Sequence, residues 1–142
     1  MILLTRNPLD DIAITATVRD PRNGGVVTFL GVTRNQTDGR KVLHLEYEAY
    51  PDMAEKMLEQ IALEVKSKWA MSECSIAHRF GRVEIGEVSL VVAVGSPHRA
   101  EAFAACAFVV DRIKENVPIW KKEFFADGET WVGMEGRHAK AT

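Results

Sequence analysis

The sequence predicts an α+β protein with a mostly antiparallel sheet. Three observations carry this. Strand-like runs separated by short polar turns outnumber strand–helix–strand units. The run Val88–Val94 (VSLVVAV) is nearly all apolar, as in a central strand covered on both faces. Two long helical patterns flank that run, one amphipathic and one apolar on every side.

The elements follow in order. Ile2–Thr5 is β-prone, and Pro8-Leu9-Asp10-Asp11 starts a helix with acids in its first turn. Ile12, Ala13, Ala16 and Val18 give that helix a weak apolar face, and Asp20-Pro21 ends it. Val26–Val32 (VVTFLGV) is a strand rich in β-branched and aromatic residues. Thr33–Lys41 is a polar loop around Asp38-Gly39. Val42–Tyr50 alternates, with Leu43, Leu45, Tyr47 and Ala49 on one face, so it is expected to pair across that loop with Val26–Val32. Asp52 and Glu55 resemble a capping box before a helix whose apolar face is Ala54, Met57, Leu58, Ile61, Ala62, Val65 and Trp69. Cys74–Phe80 is a strand, Gly81 punctuates it, and residues 82–87 form a turn-rich excursion. A helix from about Ala100 to Asn116 is apolar at every position from Ala102 to Val110, which calls for burial on more than one side, a second subunit included. Pro118 stops it, Ile119–Phe125 is a strand, and Asp127-Gly128 turns the chain into Thr130–Val132.

At 142 residues the chain can bury its own core, and one domain over residues 1–142 is expected, with 133–142 a flexible polar tail. A net charge of −2 argues against bulk attraction to nucleic acid or membrane, and no apolar run reaches spanning length. The start MILLTRNPLDD has neither a basic leader nor a small-residue cleavage site and reads as a strand. Cys74 and Cys106 make no metal spacing and no disulfide framework, so a reducing cytoplasm is expected. No Gly-rich phosphate loop, metal-ligand spacing or nucleophile elbow is present, so neither cofactor nor metal is expected.

The chemistry-bearing residues gather in Ser96–Glu123. His98 and Arg99 open a helix, where the dipole and free N–H groups favour an anion; surface residues at a loop–helix junction fit as well. Lys114 sits in the last turn beside the apolar run, and Lys121 follows Trp120 and shares a strand face with Ile119, on the opposite side from Lys122. Solvated lysines are the ordinary reading, but a partly desolvated lysine has a lowered pKa and can act as base or nucleophile. Arg34, at a strand end in a polar loop, could close over an anion or be an ordinary loop residue. Fifteen residues separate Arg99 from Lys114, about 22 Å along a helix, so one small-molecule pocket in one chain does not hold both. Either the two ends serve different sites, or two chains pack so that His98 and Arg99 of one meet Lys114 of the other; the all-round apolar helix favours the second, a symmetric dimer with composite sites.

The segments VVTFLGVTRN (26–35), DGRKVLHLEYEAYPDMAEK (38–56), HRFG (78–81), SPHRAEAFAAC (96–106) and VPIWKKE (117–123) resemble the large, catalytic subunit of molybdopterin synthase. The resemblance covers most of the chain. It implies an α/β hammerhead fold with added antiparallel strands. It also implies sulfur transfer from the C-terminal thiocarboxylate of a small ubiquitin-like subunit to cyclic pyranopterin monophosphate, forming the molybdopterin dithiolene. The implied assembly is a homodimer of large subunits within a heterotetramer. The implied catalytic residues are Lys114 and Lys121. Substrate-binding positions fall on Val32, Thr33, Arg34, His98, Arg99, Lys121, Lys122 and Glu123, with Phe29 and Val110 lining the pocket. Two other readings remain open: a non-catalytic anion-binding dimer that scaffolds a ubiquitin-like partner, and a lysine Schiff-base enzyme acting on a phosphorylated carbonyl compound.

Overall fold

The computed structural model describes residues 1–70, 72–132 and 138–139. Strands are β1 (Ile2–Thr5), β2 (Gly25–Val32), β3 (Gln36–Thr37), β4 (Arg40–Ala49), β5 (Glu73–Arg79), β6 (Gly81–Glu84), β7 (Val88–Ser96), β8 (Ile119–Phe125), β9 (Gly128–Val132) and β10 (His138–Ala139). Helices are α1 (Asp11–Ala16), α2 (Pro51–Lys68) and α3 (Arg99–Asn116). One sheet has the order β1-β5-β7-β2; the other runs β10-β9-β8-β4-β3, with β6 paired to β4. Among the described residues only the β1–β5 pair is parallel, so the expected α+β class with mostly antiparallel pairing holds.

β7 organises the first sheet because alternate side chains feed two cores. Val92 and Val94 pack under α2 and α3 with Leu58, Ile61, Val65, Ile76, Ala105, Cys106, Val109 and Ile113. Val91 and Ala93 point the other way, against Ile14 and Val18 of the α1 region and Ala77. This is the continuous apolar run of a strand covered on both faces. Gly95 lets the backbone after α1 cross closely: a Cβ there would sit 2.3 Å from the Val18 carbonyl oxygen. At the opposite end, Gly81 takes φ +84° and turns the chain out of β5 and into β6 of the second sheet.

Several expectations are corrected. Val42–Ala49 does not pair with Val26–Val32: β2 lies along β7 over its whole length, while β4 joins β8, β6 and β3 in the other sheet. The intervening loop carries β3, which folds back on β4 through Asp38 (φ 50°) and Gly39 (φ 77°). Strict alternation in β4 breaks at a register shift between Val42 and His44, which buries Val42 and leaves Leu43 outside. Asp52 and Glu55 form no capping box: Tyr50 is the N-cap of α2, with Pro51 at the first position and no side-chain cap bond. The capping aspartate is Asp10, whose Oδ1 accepts from Ala13 N at 3.0 Å. In α1 the buried residue is Ile14, and Ile12 is 79% exposed. Within one chain α3 buries a single face, Ala102, Ala105, Cys106, Val109 and Ile113; Phe103 stays 63% exposed. Of the expected 133–142 tail, His138–Ala139 pairs with β9, and residues 133–137 and 140–142 lie outside the described residues.

Candidate active site

A cavity of about 550 Å³ opens where three elements end. Phe29, Val32 and Arg34 come from β2 and the turn after it, Lys114 from the last turn of α3, and Ile119 and Lys121 from the start of β8. Tyr47, His78 and Ser89, from β4, β5 and β7, complete it. Pro118 is central to this geometry: Val117 ends α3 in extended backbone, so the chain turns straight into β8 and returns Lys121 beside Lys114.

Alternation in β8 sorts the two adjacent lysines. Lys121 faces the cavity, whereas Lys122 lies on the other face, 3.4 Å from a carboxylate oxygen of Glu129 and 4.4 Å from the Trp131 ring centre. Burial pushes the Lys121 amine below the ordinary lysine range; Glu123 pulls it back up, and Arg34 and Lys114 push it further down. Glu123 is 3% exposed and accepts a 2.5 Å hydrogen bond from Thr37 Oγ1. The site therefore holds one half-buried amine in a field of two further cations, with a buried carboxylate beside it. Such an arrangement attracts an anion and can stabilise negative charge developing on it.

The cavity thus gathers Phe29, Val32, Arg34, Lys114 and Lys121. It does not gather the other expected residues. His98 is the N-cap of α3 and Arg99 its first residue; both are exposed, at the far end of an eighteen-residue helix from Lys114. Thr33 is buried, with its backbone N–H donated to the Glu87 carbonyl at 3.1 Å and no hydrogen bond to Oγ1 among the described residues. Val110 is half-buried at the margin of the main core, Lys122 is turned away, and Glu123 shares the Lys121 face of β8 but is buried against Thr37 rather than lining the cavity. Tyr47, His78 and Ser89 were not anticipated. His78 sits in the HRFG segment and Tyr47 on the inward face of an alternating strand, but nothing local marks either as facing a cavity.

The cysteines are free and buried, and burial pushes the Cys74 thiol up to about 12. Neither lines the cavity, in keeping with their reading as structural. Among the described residues no cluster of His, Cys, Asp or Glu could hold a metal ion. A second depression, of about 410 Å³, sets Arg6 and Arg82 against Glu46 and Glu48 and gathers none of the expected residues.

The mixed α+β fold, with two lysines and an arginine around one partly apolar cavity, defines a class of protein suited to receive an anion. Residues 4–116 match the family described as MoaE protein. The molybdopterin synthase catalytic subunit of Nostoc sp. is 48% identical over 133 residues, spanning 92% of this chain and 81% of that protein. That of Bacillus subtilis is 44% identical over 130 residues, spanning 92% and 83%. The X-ray crystal structure of molybdopterin synthase from Staphylococcus aureus superposes with a TM-score of 0.89 at 42% identity, covering 92% of this chain and 96% of that one. A complex of subunits 1 and 2 of molybdopterin-converting factor from Helicobacter pylori shares the fold, with a TM-score of 0.75 at 20% identity over 90% of this chain and 87% of that one. The chain belongs to the MoaE family, the catalytic subunits of molybdopterin synthase.

Proposed function

We propose that the cavity carries out sulfur transfer from the C-terminal thiocarboxylate of a small ubiquitin-like subunit to cyclic pyranopterin monophosphate, building the dithiolene of molybdopterin. The observation that carries this reading is the desolvated Lys121 sharing one cavity with Lys114 and Arg34. The sulfur donor is itself an anion, so the carrier tail needs cations rather than a thiol of this chain. Lys121 holds the thiocarboxylate and stabilises the oxyanion that forms when water adds to the acyl carbon, so that sulfur leaves bonded to the pterin and the carrier ends as a carboxylate. Lys114 serves as general acid or base when the cyclic phosphate opens. Arg34 closes over the bound anion, and Phe29 and Val32 supply apolar wall; Val110, outside the cavity of the single chain, joins the pocket lining only in the assembled dimer. Thr33, Lys122 and Glu123 belong to the same substrate-binding group, with Glu123 acting from beside Lys121 as its charge partner.

His98 and Arg99 act in trans. A second copy packs on α3, so that these residues reach the phosphate in the partner's cavity. The exposed Phe103 and the uncovered apolar side of α3 support such a homodimer, with one small subunit for each copy in a heterotetramer. The chain functions as one domain in the cytoplasm; among the described residues no helix is long and apolar enough to cross a membrane.

The test mixes this chain with a thiocarboxylated small subunit and the cyclic pterin and assays for molybdopterin. Product is expected. A stable complex with no product would leave only a scaffold.

A further inference from the structure

Hydrogen-bond directions at the inner end of the cavity are fixed. The Gly31 carbonyl can only accept, so Ser89 Oγ gives it its single proton, at 3.3 Å. Ser89 must then accept from Tyr47, whose hydroxyl donates to it at 3.2 Å. Burial raises the Tyr47 pKa, which keeps the phenol protonated. Its proton is committed to Ser89, and its remaining capacity is a lone pair. His78 follows the same logic. Nδ1 lies 2.7 Å from the Arg79 carbonyl oxygen, which can only accept, so Nδ1 carries the hydrogen. Burial holds the ring neutral, with its pKa pushed down to about 4. Nε2 is left as an acceptor with no hydrogen-bond partner among the described residues. The two rings meet edge to face, centroids 5.0 Å apart, and both line the cavity.

The cavity is therefore polarised: Lys114, Lys121 and Arg34 supply cations at the ends of their elements, and the sheet side supplies lone pairs. We propose that Tyr47 Oη and His78 Nε2 form an acceptor subsite that binds the N–H donor edge of the substrate's bicyclic ring and so points its phosphate-bearing end at the cations. A pterin suits this polarity, because its aminopyrimidinone edge carries an exocyclic amine and a ring N–H, while the phosphate lies at the other end of the molecule. Two acceptors side by side exclude a ring turned the other way round, since its phosphate would face lone pairs in a desolvated pocket. The subsite rests on the proposed pterin substrate and deepens it.

The experiment titrates cyclic pyranopterin monophosphate, without the carrier subunit, into wild type, Tyr47→Phe and Ser89→Ala. A second ligand, a pterin methylated twice on the exocyclic nitrogen, lacks those donors. Tyr47→Phe should weaken binding of the first ligand about tenfold, the worth of roughly one hydrogen bond. The dimethylated ligand should bind wild type more weakly and be indifferent to Tyr47→Phe. Ser89→Ala frees the tyrosine proton and should also weaken the first ligand. Affinity for the carrier's C-terminal peptide should not change in either variant. Unchanged pterin affinity in both variants, or a loss that falls on the carrier peptide instead, overturns the subsite while wild-type turnover leaves the functional reading intact. If wild type neither binds nor converts the pterin, the functional reading fails and the subsite with it.

Discussion

Tyr47 and Lys121 stand directly opposite each other across the antiparallel pair β4–β8, and both line the cavity. Tyr47 is also opposite Gly81 of β6, so one residue of β4 is clamped from both sides while its hydroxyl reaches Ser89 of the first sheet. The amine and the phenol are therefore held by the same backbone ladder. What separates their roles is which partner each meets beyond it.

Lys121→Ala should reduce molybdopterin formation by about two orders of magnitude or more, the usual scale for losing a group that stabilises an oxyanion. Binding of the small subunit, followed by gel filtration, should persist.

Lys121→Met should be inactive yet more stable. The folded-state amine lies below its ordinary value of 10.5, so the unfolded chain binds more protons and wild-type stability rises as pH climbs toward that value. Replacing the desolvated cation removes this penalty at neutral pH. We expect a Tm higher by about 3 °C at pH 7, corresponding to roughly 1 kcal/mol, and a weaker rise of stability between neutral pH and pH 10.5.

His78 sets an acid limit. Its folded-state pKa of about 4 lies below the ordinary 6.5 because burial disfavours the charged ring. Its contribution is therefore complete above pH 6.5 and is lost as pH falls toward 4, about 3 kcal/mol over that window. Urea unfolding at pH 7 and pH 4.5 measures it. His78→Gln should flatten the pH dependence in this range even if it lowers stability at pH 7.

Phe103→Asp tests the uncovered side of α3. The side chain is 63% exposed, so the substitution should change the thermal stability of the isolated chain by no more than about 0.5 kcal/mol. In sedimentation velocity it should convert a dimer into a monomer, and turnover should fall under the proposal that His98 and Arg99 serve the partner's cavity.

Iodoacetamide at pH 8 should leave Cys74 unlabelled in the folded protein, since the thiol is buried and titrates near 12. A Cys74→Ala, Cys106→Ala double variant should retain sulfur transfer.

Much of this was legible in the residues. Ala54, Leu58, Ile61 and Val65 repeat at helical spacing and are the buried face of α2; Val88–Val94 reads as a two-sided strand and is one. Partner choice was not legible. Two β-rich runs separated by a polar loop look like a hairpin, but β2 finds β7 and β4 finds β8 through contacts far apart in sequence. Nor did the all-apolar stretch of α3 identify its covered side, because Ala and Phe look alike to periodicity whether they face a sheet or solvent. The lysines of the cavity could be found because a charge among apolar neighbours stands out. Tyr47, His78 and Ser89 could not, since their part depends on where the two sheets meet and on which protons are already spent.

The opposition of Lys121 to Tyr47 has a bearing on how the family's sequences can change length. Side chains alternate along β8, so losing one residue between Pro118 and Lys121 would bring Lys122 into the cavity and carry Lys121 off that face. Two lysines in a row hide such a slip from composition: a basic residue would still face the anion. It would arrive without Glu123 two residues on, because that carboxylate would turn outward by the same half-period. The segment can therefore absorb point replacements but not indels, and a frame of this kind is counted in residues rather than in charges.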